Sequence, residues 1–184
     1  MKHLKNLLTL ALIFTSIHVF SQTDKATTQR IIEAQNYVFV ATTAFPLNSV
    51  DVNAVLNKMA GSMGGGGSIP LTGSNYDVKV TKDSLAAYLP YYGRAYTARI
   101  GGINDGGIKI NAKEFKYKTQ KRKKGGWIIT MNPKNLTNDY NSNYNLTLTV
   151  TPNGYGTLSV NSNNQQSISF NGYMAEPEPA KKSI

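Results

Sequence analysis

The sequence predicts a mainly β protein, a single antiparallel β-barrel or sandwich of about eight strands with a short N-terminal helix. Three observations carry that prediction. Short runs alternate apolar with polar side chains, the period of a half-buried strand, as in Tyr76-Asp77-Val78-Lys79-Val80 and Tyr144 to Val150. Turn-forming clusters such as Asn104-Asp105-Gly106-Gly107 and Pro152-Asn153-Gly154 separate the runs. Almost no helical periodicity follows the glycine-rich stretch Gly61–Ser68. Many short strands without helices to cover them must curl into a barrel or fold over as a sandwich.

Residues 1–21 read as a secretory signal peptide: Lys2 and Lys5 precede an apolar run from Leu7 to Phe20, and Val19 and Ser21 suit the −3 and −1 positions of a cleavage site. The run is short for a bilayer span and polar residues interrupt it, so no transmembrane segment is expected after processing. Cleavage after Ser21 leaves a periplasmic or extracellular chain of 163 residues, with 18 basic against 10 acidic side chains.

Residues 22–35 form the expected helical segment, with Asp24 or Thr27 as its cap and Ile31-Ile32 on its apolar side. Tyr37 to Phe45 is rich in β-branched and aromatic residues and is stopped by Pro46, which makes it the first strand of a β domain over residues 36–173. Residues 47–74 read as a flexible glycine-rich insertion, since Gly61–Ser68 offers little to pack and lacks the Gly-Lys-Ser/Thr ending of a phosphate-binding loop. Strands then follow at Tyr76–Val80 and Leu85–Leu89, and Pro90 and Gly93 make a bend; if the chain resumes as a strand after Gly93, alternation sends Tyr92, Arg94 and Tyr96 to one face. Further strands are expected around Ile108 and Ile110, Phe115 and Tyr117, Trp127–Met131, Tyr144–Val150, Tyr155–Val160 and Gln166–Tyr173. Residues 174–184, polar and proline-bearing, form a disordered tail.

The chemistry is bounded by what the mature chain lacks. The sequence has no cysteine, and His3 and His18 leave with the signal peptide. No Ser-His-Asp or Cys-His nucleophile, typical zinc site or redox thiol can then be assembled, so no catalytic residue, metal or cofactor is assigned. The acidic residues Asp77, Asp83, Asp105, Glu114 and Asp139 show no spacing that singles out a hydrolytic pair.

Two clusters remain as candidate contacts. Tyr88, Tyr91, Tyr92, Arg94 and Tyr96 surround Pro90 and Gly93, and a guanidinium among phenol rings can stack and still offer its fork of donors to an anion or sugar. The same residues also suit a structural role, with rings on the core edge and the arginine as a clamp. Lys121-Arg122-Lys123-Lys124 at a hairpin tip, with Lys116 and Lys118 on the preceding strand, makes a basic patch that attracts phosphate polymers, lipid headgroups or acidic glycans. A solvated tip that discourages edge-to-edge aggregation is the alternative. Nucleic acid is not an expected partner, as no aromatics interleave the run for base stacking.

The chain also resembles a family of secreted Bacteroidota proteins catalogued as a domain of unknown function. The resemblance rests on Asn36-Tyr37-Val38-Phe39-Val40, Asn75-Tyr76-Asp77-Val78, Tyr88-Leu89-Pro90-Tyr91-Tyr92-Gly93-Arg94-Ala95-Tyr96, Lys124-Gly125-Gly126-Trp127, Asn153-Gly154-Tyr155 and Ile168-Ser169-Phe170-Asn171-Gly172. It implies an exported or envelope location and transfers no catalytic residue. The expected function is a non-enzymatic β domain that binds a small ligand or an anionic cell-envelope component; a hydrolase using carboxylates or tyrosines and a ligand-free structural envelope protein are the alternatives.

Overall fold

A computed structural model describes residues 23–47, 67–71, 73, 75–96, 107–136 and 143–178. The expected signal peptide, most of the expected 47–74 insertion and the end of the expected tail lie outside them.

Helix α1 (Lys25–Glu33) starts where Asp24 accepts the Thr27 amide at 2.7 Å, a hydrogen bond that holds the carboxyl below its usual range. It ends where Gln35 turns left-handed at φ 50° and the amides of Gln35 and Asn36 return to the carbonyls of Ile32 and Ile31. Its buried side, Thr28, Ile31 and Ile32, closes one end of the sheet. At that end the hydroxyls of Thr23 and Thr28 meet at 2.6 Å. A Cβ on Gly154, in the turn below, would fall 2.4 Å from Thr23 Oγ1, so helix and turn are in close contact.

Ten antiparallel strands form one nearly closed, barrel-like sheet: β1 (Tyr37–Pro46), β2 (Ile69–Pro70), β3 (Asp77–Val80), β4 (Leu85–Leu89), β5 (Ile108–Ala112), β6 (Glu114–Lys121), β7 (Trp127–Lys134), β8 (Tyr144–Val150), β9 (Tyr155–Ser162) and β10 (Ile168–Ala175). Their order is β5-β4-β3-β1-β10-β9-β8-β7-β6, with β2 paired to β1 beside β3. The two ends of that order, β5 and β6, are separated in the chain by Lys113 alone. They act as one bent strand, whose first part pairs with β4 and whose second part pairs with β7. A strand shared between the two edges is what curls the sheet back on itself.

Along each strand alternate residues point inward. Tyr37, Phe39, Val78, Leu146, Leu148, Leu158 and Phe170 are fully buried, so the lumen is packed with side chains. Each contributes roughly 1.5–3 kcal/mol through burial, and with no cysteine in the sequence the fold rests on this packing without a disulfide. In β1 the pairing with β10 slips between Ala41 and Thr43, a bulge at Thr42 that returns Ala44 to the interior.

Over the described residues Arg94–Tyr96 the strand conceived after Gly93 does not form: Ala95 makes only an isolated bridge to Gln165, so Tyr92, Arg94 and Tyr96 do not share a strand face. Leu71, at the end of the insertion, is buried and donates its amide to Thr42 at 2.9 Å, which anchors that end to β1. The last strand also runs to Ala175 and buries Met174, beyond the expected limit at Tyr173.

Candidate functional site

With the lumen filled, a ligand has to meet the outer face. Cross-strand register lines up one rank there over six strands: Tyr155 opposite Tyr173, then Val40, Asp77, Tyr88 and Lys109. The next rank toward the helix is Ala175, Val38, Lys79, Ala86 and Asn111. At the β10–β1–β3 part of these ranks lies a groove of about 580 Å³, lined by Val38, Val40, Tyr173, Tyr76, Asp77, Lys79 and Glu176 to Glu178; Tyr88 and Tyr155 stand outside its lining.

Tyr76 stacks obliquely on Tyr88, ring centroids 5.6 Å apart at 32°, and Lys109 Nζ lies 6.0 Å from the Tyr88 centroid. The Tyr76 carbonyl accepts the Ala41 amide at 2.9 Å, which fixes this residue just outside β3. Tyr92 is half-buried, and burial, followed by the neighbouring Tyr76 phenol, pushes its hydroxyl above the usual tyrosine value. Asp77 lies 3.3 Å from Lys79 Nζ, and Glu176 is bonded to Arg30, so two of the three carboxylates on the groove, Asp77 and Glu176 but not Glu178, are shown engaged by cations. Among the described residues no group of acidic, histidine or cysteine side chains could hold a metal ion.

The five residues singled out around Pro90 therefore divide. Tyr88 and Tyr92 join Tyr76 beside the groove. Tyr91, Arg94 and Tyr96 form a clasp against the loop before β10: the Tyr91 hydroxyl donates to the Arg94 carbonyl at 2.8 Å and lies 3.2 Å from that of Gln166. The Arg94 amide donates to Gln166 Oε1, the Gln166 amide donates back to Arg94, and the Tyr96 amide donates to Asn164. Tyr76, Tyr155 and Tyr173 were not among the expected contacts. The motifs Asn75-Tyr76 and Gly154-Tyr155 contain two of them, but only strand pairing reveals that they share a face.

The basic patch divides as well. Lys116 and Lys118 alternate outward with the half-buried Phe115 and Tyr117 turned in. Lys121 instead lies beside the helix, 3.5 Å from Glu33. Arg122, Lys123 and Lys124 make the tight hairpin turn, closed by Arg122 to Gly126 and Gly125 to Arg122 hydrogen bonds, with both glycines at positive φ.

A family model described as Domain of unknown function (DUF4251) matches residues 20–174. Among solved structures, the chain is similar to a DUF4251 family protein from Bacteroides eggerthii, with 17% sequence identity, a TM-score of 0.55, and coverage of 83% of this chain and 87% of that one. At that identity the likeness concerns the fold. No curated protein matches the chain in sequence.

Proposed function

Since the chain belongs to this domain-of-unknown-function family, whose description assigns no activity, we propose from the outer face that the protein is a non-enzymatic binding domain for a polysaccharide of the cell envelope or its surroundings. The observation that carries this reading is the rank Tyr155–Tyr173–Val40–Asp77–Tyr88, with its groove. A tyrosine offers a ring on which the C–H face of a sugar packs and a hydroxyl for the sugar's own hydroxyls. The groove volume falls in the range of ligand sites. Neighbouring strands lie about 4.8 Å apart, so Tyr173 and Tyr88, three strands apart, stand about 14 Å from each other. An oligosaccharide spans that distance. Because the rings stand on paired strands, little ordering is needed on binding.

Export supports the same setting: the leader pattern of residues 1–21, with cleavage after Ser21, delivers the chain to the periplasm or beyond. The absence of histidine and cysteine from the mature sequence supports binding over hydrolysis, as does the pairing of Asp77 and Glu176 with cations. A screen of the mature chain on a polysaccharide array tests the reading. Binding without release of reducing sugar is expected; product accumulation would favour a hydrolase, and no binding at all would favour a structural protein.

A further inference from the structure

We propose that the bent strand β5–β6 is a track for a linear carboxylated polysaccharide. Between Lys109 and Lys134 the chain carries nine lysines and arginines and a single acid, Glu114. Strand alternation sorts part of that charge into an outward column, Lys109, Asn111 and Lys113 on one side of the bend and Lys116 and Lys118, preceded by Glu114, on the other. At about 3.3 Å per residue the column runs roughly 30 Å along the strand, with Lys116 and Lys118 about 7 Å apart. At the bend itself, Asn111, Lys113, Glu114, Lys134 and Asn135 surround a recess of about 180 Å³, large enough for a carboxylate with part of its sugar. Glu114, the acid facing that recess, already accepts from Asn135 Nδ2 at 3.2 Å. The recess thus presents two lysine ammonium groups against one hydrogen-bonded carboxylate.

The form of the charge selects the occupant. A lipid surface favours a flat patch with an apolar side chain to insert, whereas the exposed large apolar residues among those described, Phe45, Leu47, Tyr88, Tyr96 and Tyr155, all lie outside β5–β6. A single-stranded nucleic acid requires rings interleaved with the cations, and Phe115 and Tyr117 turn toward the core. A linear polymer with carboxylates at sugar spacing fits a row of lysines, and Lys109 joins the row to the tyrosine rank. The inference rests on the polysaccharide reading of that rank and names the acidic character of the polymer.

The test is native affinity electrophoresis of the mature chain in gels containing polygalacturonate, or dextran, mannan or β-glucan as neutral probes, at two salt concentrations. Compared with wild type are Lys113→Gln/Lys116→Gln/Lys118→Gln, whose side chains are exposed, and Tyr88→Ala/Tyr173→Ala. Wild type is expected to bind polygalacturonate with an affinity that falls steeply with salt. The lysine variant is expected to bind it at least tenfold more weakly, with a flatter salt dependence, while any retardation by a neutral probe is unchanged. The proposal is overturned if the lysine variant binds polygalacturonate as wild type does. It is equally overturned if phosphatidylglycerol vesicles or single-stranded DNA bind wild type as tightly as polygalacturonate. A tyrosine variant that binds every polysaccharide normally would instead sink the reading of the rank, and the lysine comparison would still be decided on its own.

Discussion

Gly172 lies against the carbonyl of Val40: a Cβ built on the glycine would fall 2.0 Å from that oxygen and 2.9 Å from Phe39 Cζ. The contact sits directly behind the groove, since Tyr173 pairs with Val40 on the outer face. Gly172→Ala is therefore expected to force β1 and β10 apart at the bulge, with a cost of about 3 kcal/mol, the upper end for overpacking. Chemical denaturation checks it; a midpoint equal to wild type would show that the strands yield freely.

The clasp around Gly93 makes a second prediction. Tyr91→Phe removes the hydroxyl that reaches the carbonyls of Arg94 and Gln166, and a net loss of about 1 kcal/mol is expected. The melting temperature should fall by roughly 2–4 °C. An unchanged melt would mean that the backbone hydrogen bonds between Arg94 and Gln166 hold the clasp alone.

Alkaline stability follows from two tyrosines. Burial, and then Tyr117, raise the Tyr37 hydroxyl well above its usual value, and burial, then Tyr76, raise that of Tyr92. Below about pH 10 both are protonated whether the chain is folded or not. Above it the unfolded chain loses protons that the folded chain keeps, so stability falls as pH rises. Ellipticity followed from about pH 8 to 12 should show unfolding on that limb. Tyr37→Phe should move its midpoint to higher pH, and an identical limb would contradict the assignment.

Lys121 and Glu33 approach to 3.5 Å, but both side chains are more than half exposed. Lys121→Ala is expected to change stability by less than about 0.5 kcal/mol, as is usual for an exposed ion pair. A larger loss in a thermal melt would make the turn a structural anchor for the helix.

The strands were legible where alternation is strict: Val78 and Val80, Phe115 and Tyr117, and Leu146, Leu148 and Val150 all turn inward as their spacing predicts, and Ile31 and Ile32 bury the helix. Local pattern failed where pairing decides. Nothing in Lys113 announces that the chain bends there and passes from one edge of the sheet to the other. Thr42 carries no mark of the bulge that shifts the inward set from Ala41 to Ala44. After Gly93 the tyrosines suggested a strand, but hydrogen bonds to the loop at Gln166 hold the segment as a clasp. The candidate site was half visible for the same reason. Tyr88 and Tyr92 belong to a conspicuous cluster, whereas Tyr173 and Tyr155 meet through register, which is a property of two strands and not of one segment.

The central claim is that the outer rank of tyrosines binds a polysaccharide. Affinity electrophoresis of wild type and Tyr88→Ala/Tyr173→Ala, through gels cast with the polysaccharide that the array identifies, measures it most directly. Tyr88 is about half exposed and Tyr173 is only partly buried, so the variant should keep its fold, as checked by an unchanged thermal melt. The account predicts at least a tenfold loss of affinity, about 1.4 kcal/mol or more. Equal retardation of the two proteins, with equal melts, would contradict it.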